Sequence, residues 1–254
     1  MNSKLEKFLL ITKKVKNWPT YFLGRFGFIK NKYLIYEFRN GQKIKARSHS
    51  TDWIAINEIF VYNDYTPEGF KINKNDTVVD IGGHIGIFSV FASKFSNKVF
   101  CFEPVIENFN LLKENIKLNN IQNIFPFNLA VSDKDGKKEL FLYDTNRGGN
   151  SFFEEVNGKS QGREVVSTIS FENFVSSNNI QLIDFLKMDC EGSEYEILLN
   201  CPLNIIGIIK KISMEYHDID AKRNALVLKE FLEKNGFAVS IVSDKCHYLF
   251  AKKI

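Results

Sequence analysis

From Thr77 onward the chain alternates short apolar runs with stretches in which apolar residues recur every three or four positions. Continuous apolar runs suit strands buried on both faces, and a 3.6-residue period suits the helices that cover them. The pattern predicts strand 77–81, helix 86–95, strand 98–102, helix 106–119 and strand 123–127. Farther along it predicts helix 170–177, strand 182–188, helix 193–200, strand 206–215, helix 222–235, and strands 237–242 and 246–252. Such a rhythm belongs to βαβ units around a mostly parallel sheet. Residues 243–245 leave room only for a tight turn, so the last two strands form an antiparallel pair at a sheet edge.

Two regions depart from the rhythm. Before it, apolar segments 32–38 and 43–47 flank Asn40-Gly41, a strong hairpin signal, and residues 53–63 read as a helix that ends before Thr66-Pro67-Glu68-Gly69. Within it, short strands at 138–142 and 163–167 enclose a loop from Asp144 to Gly162 rich in Gly, Asn and Ser, a natural lid or substrate-reading insertion. The expected organisation is an N-terminal extension over residues 1–70, with helix, hairpin and helix, packed on a main domain over residues 71–254.

Composition narrows the class. With 254 residues, 44% hydrophobic and 25% charged, the chain can bury one large core. Its longest apolar runs, such as Ile205 to Ile209, fall far short of the roughly 20 residues of a transmembrane helix and read as buried strand. Cys101, Cys190, Cys201 and Cys246 show no CxxC spacing, so they are expected as free thiols of a cytoplasmic protein. No secretory signal is expected at the start, where the apolar stretch is short and no small-residue cleavage site follows.

The net charge of +4 is unevenly placed, with Lys4, Lys7, Lys13, Lys14, Lys16, Arg25, Lys30 and Lys32 set against Glu6 in the first 32 residues. Interleaved with Phe8, Leu9, Ile11, Val15 and Trp18, they read as a basic amphipathic helix. It either packs on the domain with solvated lysines or makes peripheral contact with an anionic membrane. The excess is too small to indicate nucleic acid.

The chemistry-bearing segment is Val79-Asp80-Ile81-Gly82-Gly83-His84-Ile85-Gly86, a strand, a glycine turn and a helix start. A turn of this kind lets backbone N–H groups approach an anionic group, and the helix start favours negative charge. In a dinucleotide fingerprint the frame from Gly82 would need glycine where His84 stands, at the point where a pyrophosphate needs room. The spacing from Asp80 to Gly86 instead suits S-adenosylmethionine, with Glu103 at the end of the next strand accepting hydrogen bonds from ribose hydroxyls.

At these residues the chain resembles the FkbM family of class I methyltransferases. The resemblance rests on residues 79–89, on Phe102-Glu103-Pro104-Val105-Ile106-Glu107-Asn108-Phe109, on Asn128-Leu129-Ala130-Val131-Ser132-Asp133, on residues 186–194, and on Ser213-Met214-Glu215-Tyr216-His217. It departs at Gly83, where the family often has alanine. The resemblance implies a Rossmann-like α/β fold, a seven-stranded mostly parallel sheet in the order 3-2-1-4-5-7-6 with helices on both faces. It implies that Asp80, Gly82, Gly83, His84 and Gly86 shape the methionine end of the cofactor pocket, with Asp189 nearby. Glu103 would bind ribose, and Asn128 would lie near adenine, with Ser132 or Asp133 as substitutes. His84 is read as a helix-start residue bordering the methionine moiety, or as a general base.

Methyl transfer to an alcohol also needs a group that takes the hydroxyl proton. Asp189, Glu215 and His217 stand at strand ends, where ligands bind in open α/β sheets, and are the catalytic candidates. His217 or Asp189 would act as base; alternatively Asp189, Glu215 and His217 would bind Mg²⁺. Glu191 and Glu194 read as first-turn acids of the following helix, and Lys187 as a strand residue paired to a carboxylate. Asp52, Glu58 and Tyr65 either close over the cofactor or are helix-surface and turn residues. The function expected is S-adenosylmethionine-dependent O-methylation of a sugar in a glycan or glycolipid, which a basic N-terminal helix would suit at the inner membrane face. The alternatives are a small-metabolite methyltransferase, a non-catalytic nucleoside-binding module and an NAD-dependent oxidoreductase.

Overall fold

The computed structural model describes residues 4–143, 148–153, 159–243 and 247–254. Two helices open the described chain, α1 (Lys4–Lys14) and α2 (Trp18–Arg25), where the charge pattern predicts one. The break has a cause in the sequence: Val15 forms a β-bridge with Phe38, and Pro19, which has no N–H to donate, sits in the first turn of α2. The hairpin β1 (Tyr33–Glu37) and β2 (Lys43–Arg47) follows, paired antiparallel around Asn40-Gly41. The predicted helix 53–63 divides into α3 (Asp52–Ile56) and a π-helical turn, Asn57–Tyr62, which Asn63 ends in the left-handed region at φ 58°. π-Helical turns are rare and gather at functional sites.

The main sheet holds β3 (Thr77–Ile81), β4 (Lys98–Phe102), β5 (Ile124–Phe127), β9 (Phe185–Met188), β10 (Lys211–Glu215), β11 (Phe237–Val242) and β12 (Tyr248–Lys253). Their spatial order is β5-β4-β3-β9-β10-β12-β11, with β12 antiparallel to both neighbours and the five strands from β5 to β10 parallel. Adjacent residues of a strand face opposite ways, and Val78 and Val79 accordingly enter two different cores. One core holds α4 (Ile87–Ser93), α5 (Ile106–Leu118) and the N-terminal elements. The other holds α6 (Phe171–Ser177), α7 (Glu194–Leu199), α8 (Leu203–Gly207) and α9 (Ala225–Lys234).

A second sheet, in the order β6-β8-β7, comprises β6 (Ala130–Ser132), β7 (Gly136–Leu142) and β8 (Gly162–Ser170). The predicted strand 206–215 is corrected: Leu203–Gly207 is helical behind Pro202, and only Lys211–Glu215 is strand. Ile205 and Ile206 are buried all the same, and a short buried apolar run carries no period by which strand and helix differ. Residues 244–246, with Cys246, and residues 144–147 and 154–158 of the predicted loop lie outside the described residues.

The hairpin joins the main body through two asparagines one helical turn apart. Asn115 on α5 and Asn119 at its C-terminal cap each donate to and accept from the backbone of β2, at Lys45 and Lys43, with contacts of 2.7–3.0 Å. These side chains stand in for a third strand and satisfy an edge that would otherwise be open. No helix among the described residues is long and apolar enough to cross a membrane.

Candidate active site

The parallel strands β3, β4, β9 and β10 bring Ile81, Phe102, Met188 and Glu215 to one sheet edge, and a cavity of about 490 Å³ opens above it. That volume suits a cofactor or small molecule. Gly82, Gly83, His84, Glu103, Asp189 and Glu215 line it, whereas Asp80, Gly86, Asn128 and His217 do not.

The glycine turn has a packing role. Gly82 has φ 80°, and a Cβ there would come within 1.7 Å of the Asp189 carbonyl oxygen, so only glycine lets β3 and β9 close at their ends. Its N–H and that of Gly83 both donate to the Phe102 carbonyl, at 3.1 and 2.8 Å, and the N–H of His84 donates to Glu103 at 2.8 Å. The expectation that these amides face a ligand is thereby corrected; the neighbouring strand takes them. Gly83 is also closely packed, because a Cβ would meet Cys101 Sγ at 2.2 Å.

Asp80 lies fully buried behind the turn, accepting from Ser89 Oγ at 2.6 Å and facing Lys187 Nζ at 3.3 Å. Lys187 also donates to the Gly82 carbonyl at 2.8 Å and lies 3.6 Å from Asp189. Burial alone would lower its pKa, yet Asp80 and Asp189 hold the ammonium above the ordinary lysine range. The pair thus locks the turn to β9 from beneath.

Glu103 accepts from the N–H groups of His84 and Val105 and from Asn108 Nδ2. A carboxylate has about four acceptor sites, so these bonds leave room for a ribose hydroxyl at Oε2. Burial raises Glu103 to about 7 in spite of them. Arg47, which the sequence did not single out, ties this corner together. It forms a two-pronged pair with Asp52 at 3.0 and 3.1 Å, donates to Asn108 at 2.9 Å and meets His84 Nε2 at 2.8 Å. Burial lowers His84 to about 4, so its Nε2 is a neutral acceptor for the guanidinium. With that lone pair engaged, the general-base reading of His84 fails. Asp52 is fully buried in this pair and does not reach the cavity.

Toward β10 the cavity floor is acidic. Tyr65 Oη lies 2.9 Å from Asp189 Oδ2 and 3.3 Å from Glu215 Oε2, while Glu58, on the π-helical turn, faces the same space. Burial, reinforced by Asp189, raises Glu58 to about 7 and Glu215 to about 8, and it pushes the Tyr65 phenol well above its usual range.

His217 is placed elsewhere. Its Nε2 lies 3.1 Å from Glu191 and its Nδ1 3.3 Å from Glu194. Burial alone would lower its pKa, but these hydrogen bonds hold it at about 12. It is an imidazolium at neutral pH, and the base role read for it is corrected. Glu194 is likewise more than a first-turn acid, being fully buried and bonded to the Cys190 N–H at 3.2 Å. The predicted Mg²⁺ set also changes: ligand atoms of Asp189, Glu191 and His217, without Glu215, come within 4.8 Å of one another. Mg²⁺ takes oxygen ligands, so a set that includes an imidazole nitrogen does not suit it.

Part of the cavity wall is apolar, formed by Phe102, Leu129, Val131, Leu140 and Phe152. Asn128 instead donates to the carbonyls of Glu103 and Pro104 at 3.0 and 2.8 Å, bracing the strand end. Ser132 and Asp133 bond each other, away from the cavity. Gly148, Asn150 and Phe152 bring part of the predicted loop to the site, and Ser151 Oγ fastens it to the Glu191 carbonyl at 2.5 Å.

The family model described as "Methyltransferase FkbM domain" matches residues 80–239. The 31-O-demethyl-FK506 methyltransferase FkbM of Streptomyces tacrolimicus is 24% identical over 81% of this chain and 89% of its own length. The hexuronic acid methyltransferase AglP of Haloferax volcanii is 25% identical over 63% of this chain and 64% of its own. Among solved structures, a methyltransferase FkbM from Methylobacillus flagellatus superposes with a TM-score of 0.53 at 13% identity, covering 79% of this chain and 53% of that one, a likeness of fold. With more than half of its length matched by that family model, the chain belongs to the FkbM methyltransferase family and is a methyltransferase.

Proposed function

We propose that the protein transfers a methyl group from S-adenosylmethionine to a hydroxyl group of a saccharide. The observation that carries this reading is one continuous cavity with a buried carboxylate, Glu103, at one end, suited to ribose hydroxyls, and three further carboxyl groups, Glu58, Asp189 and Glu215, at the other. The apolar part of the wall suits an adenine ring. The engaged amides of Gly82 and Gly83 argue against a pyrophosphate and hence against NAD. When bound, S-adenosylmethionine supplies a methyl group already activated on a sulfonium.

The chain's own residues then align the acceptor and take its proton. Glu58, at about 7, matches the requirement for a base near neutral pH, with Asp189 and Glu215 held beside it by Tyr65. A saccharide acceptor is favoured by the hexuronic acid relative, and the FK506 relative keeps a small-molecule hydroxyl as the second reading. Formation of S-adenosylhomocysteine over a panel of hexuronic acids, neutral glycosides and macrolide alcohols tests it. Turnover confined to amines would refute O-methylation.

A further inference from the structure

We propose that the helix pair α1 and α2 is a docking face for an anionic membrane surface, set beside the mouth of the catalytic cavity. Leu5, Phe8 and Leu9 share one face of α1 by their spacing, and all three are exposed, Leu5 to 66% and Leu9 to 55%. Ile11, on another side of the same helix, is buried. On and after α2, Trp18, Leu23, Phe26 and Phe28 are also exposed, Phe26 to 64% and Phe28 to 73%.

The rings of Phe8, Trp18, Phe22 and Phe26 form one cluster across the two helices. Phe8 stacks on Phe22 at 5.3 Å between ring centroids and meets Trp18 edge-on at 5.8 Å, and Phe22 stacks on Phe26 at 6.4 Å. Aromatic rings and leucines concentrated in so few residues are far from the scattered exposed apolar side chains of an ordinary surface. The rim is basic, with Lys4, Lys7, Lys13, Arg25 and Lys30 exposed.

Charge selects the occupant. A second copy meeting this patch about a two-fold axis would set lysines against lysines. An anionic bilayer instead accepts apolar side chains between its headgroups and pairs with the lysines around them.

Position supplies the use. Tyr21 on α2 donates to Asn57 at 2.8 Å, and Arg25 stacks over Trp53 at 4.0 Å, so α2 rests on the segment whose Ile54, Ala55 and Glu58 line the cavity. A bilayer held at this face lies next to the opening, where it would present an acceptor carried on a lipid.

Co-sedimentation of the full chain with vesicles of phosphatidylcholine, alone and mixed with phosphatidylglycerol, tests the proposal. The wild type is expected to sediment with the mixed vesicles at low salt and to leave them at high salt. Leu5→Glu/Phe26→Glu should lose most of the bound fraction. Both positions are exposed, so the melting temperature should not change, and Lys4→Glu/Lys7→Glu provides a second variant with the same expectation. No binding to mixed vesicles, or equal binding by both variants, overturns it. A dimer that the variants dissociate, without vesicle binding, overturns it in favour of self-association. Vesicle binding needs neither cofactor nor acceptor, so failure here leaves the methyltransferase reading untouched.

Discussion

Tyr65 donates its hydroxyl to Asp189 at 2.9 Å, although 124 positions of chain separate the two. The contact joins the turn after the π-helical segment to the loop that follows β9, and it holds Asp189 beside Glu215. Tyr65→Phe removes the hydroxyl that bridges Asp189 and Glu215 and leaves both carboxyl groups without that donor. The expected cost is about 1–3 kcal/mol of stability, with cofactor binding kept and turnover lowered. Thermal denaturation and S-adenosylhomocysteine formation, measured on the same variant, check both parts.

Glu58 is predicted to set the pH dependence. A base with a pKa of about 7 is protonated below that value, so kcat/KM should climb with pH up to about 7 and then level. Glu58→Gln should abolish that limb and cost roughly 10²–10⁴-fold in turnover. A variant that keeps the wild-type profile assigns the limb to another group.

The two ends of glycine tolerance can be compared directly. Gly82→Ala places a Cβ 1.7 Å from a backbone carbonyl at φ 80°, so β3 and β9 must separate and the protein should fail to fold stably. Gly41→Ala, at φ 93° with nothing within 4 Å, carries only the backbone strain of about 1–2 kcal/mol. Chemical denaturation of both variants reads the difference.

His217 and His84 should act on stability with opposite signs. His217 is raised to about 12 from an ordinary 6.5, so its contribution is full below pH 6.5 and is lost as the pH rises toward 12. His84 is lowered to about 4, so its contribution is present above pH 6.5 and is lost as the pH falls toward 4. The melting-temperature gap between wild type and His217→Gln should therefore narrow on going alkaline. For His84→Asn, which tolerates the left-handed backbone at φ 50°, the gap should narrow on going acid.

The strands of the main sheet and the place of the site were legible because each rests on local signals: apolar runs, the glycine turn, Glu103 at a strand end. Where signals were not local, the reading failed. Arg47 is an ordinary charge at the end of a hairpin strand, and only folding brings it to Asp52, His84 and Asn108. His217 follows Glu215 by two residues, which suggests a common direction, but the chain has left the strand after Glu215 and the imidazole turns toward Glu191 and Glu194. Glu58 reads in sequence as a residue that closes over the cofactor or as a helix-surface acid, not as a base, because its raised pKa comes from burial that no spacing announces.

The cavity between Glu103 and Asp189 is proposed to hold S-adenosylmethionine. Titration calorimetry with S-adenosylhomocysteine, on the wild type and on Glu103→Ala, tests it most directly. Saturable binding by the wild type is expected, with a loss of about ten- to a hundredfold in affinity for the variant, the worth of a hydrogen bond to a carboxylate. Absence of binding to the wild type, with saturable binding of NAD in its place, would contradict it.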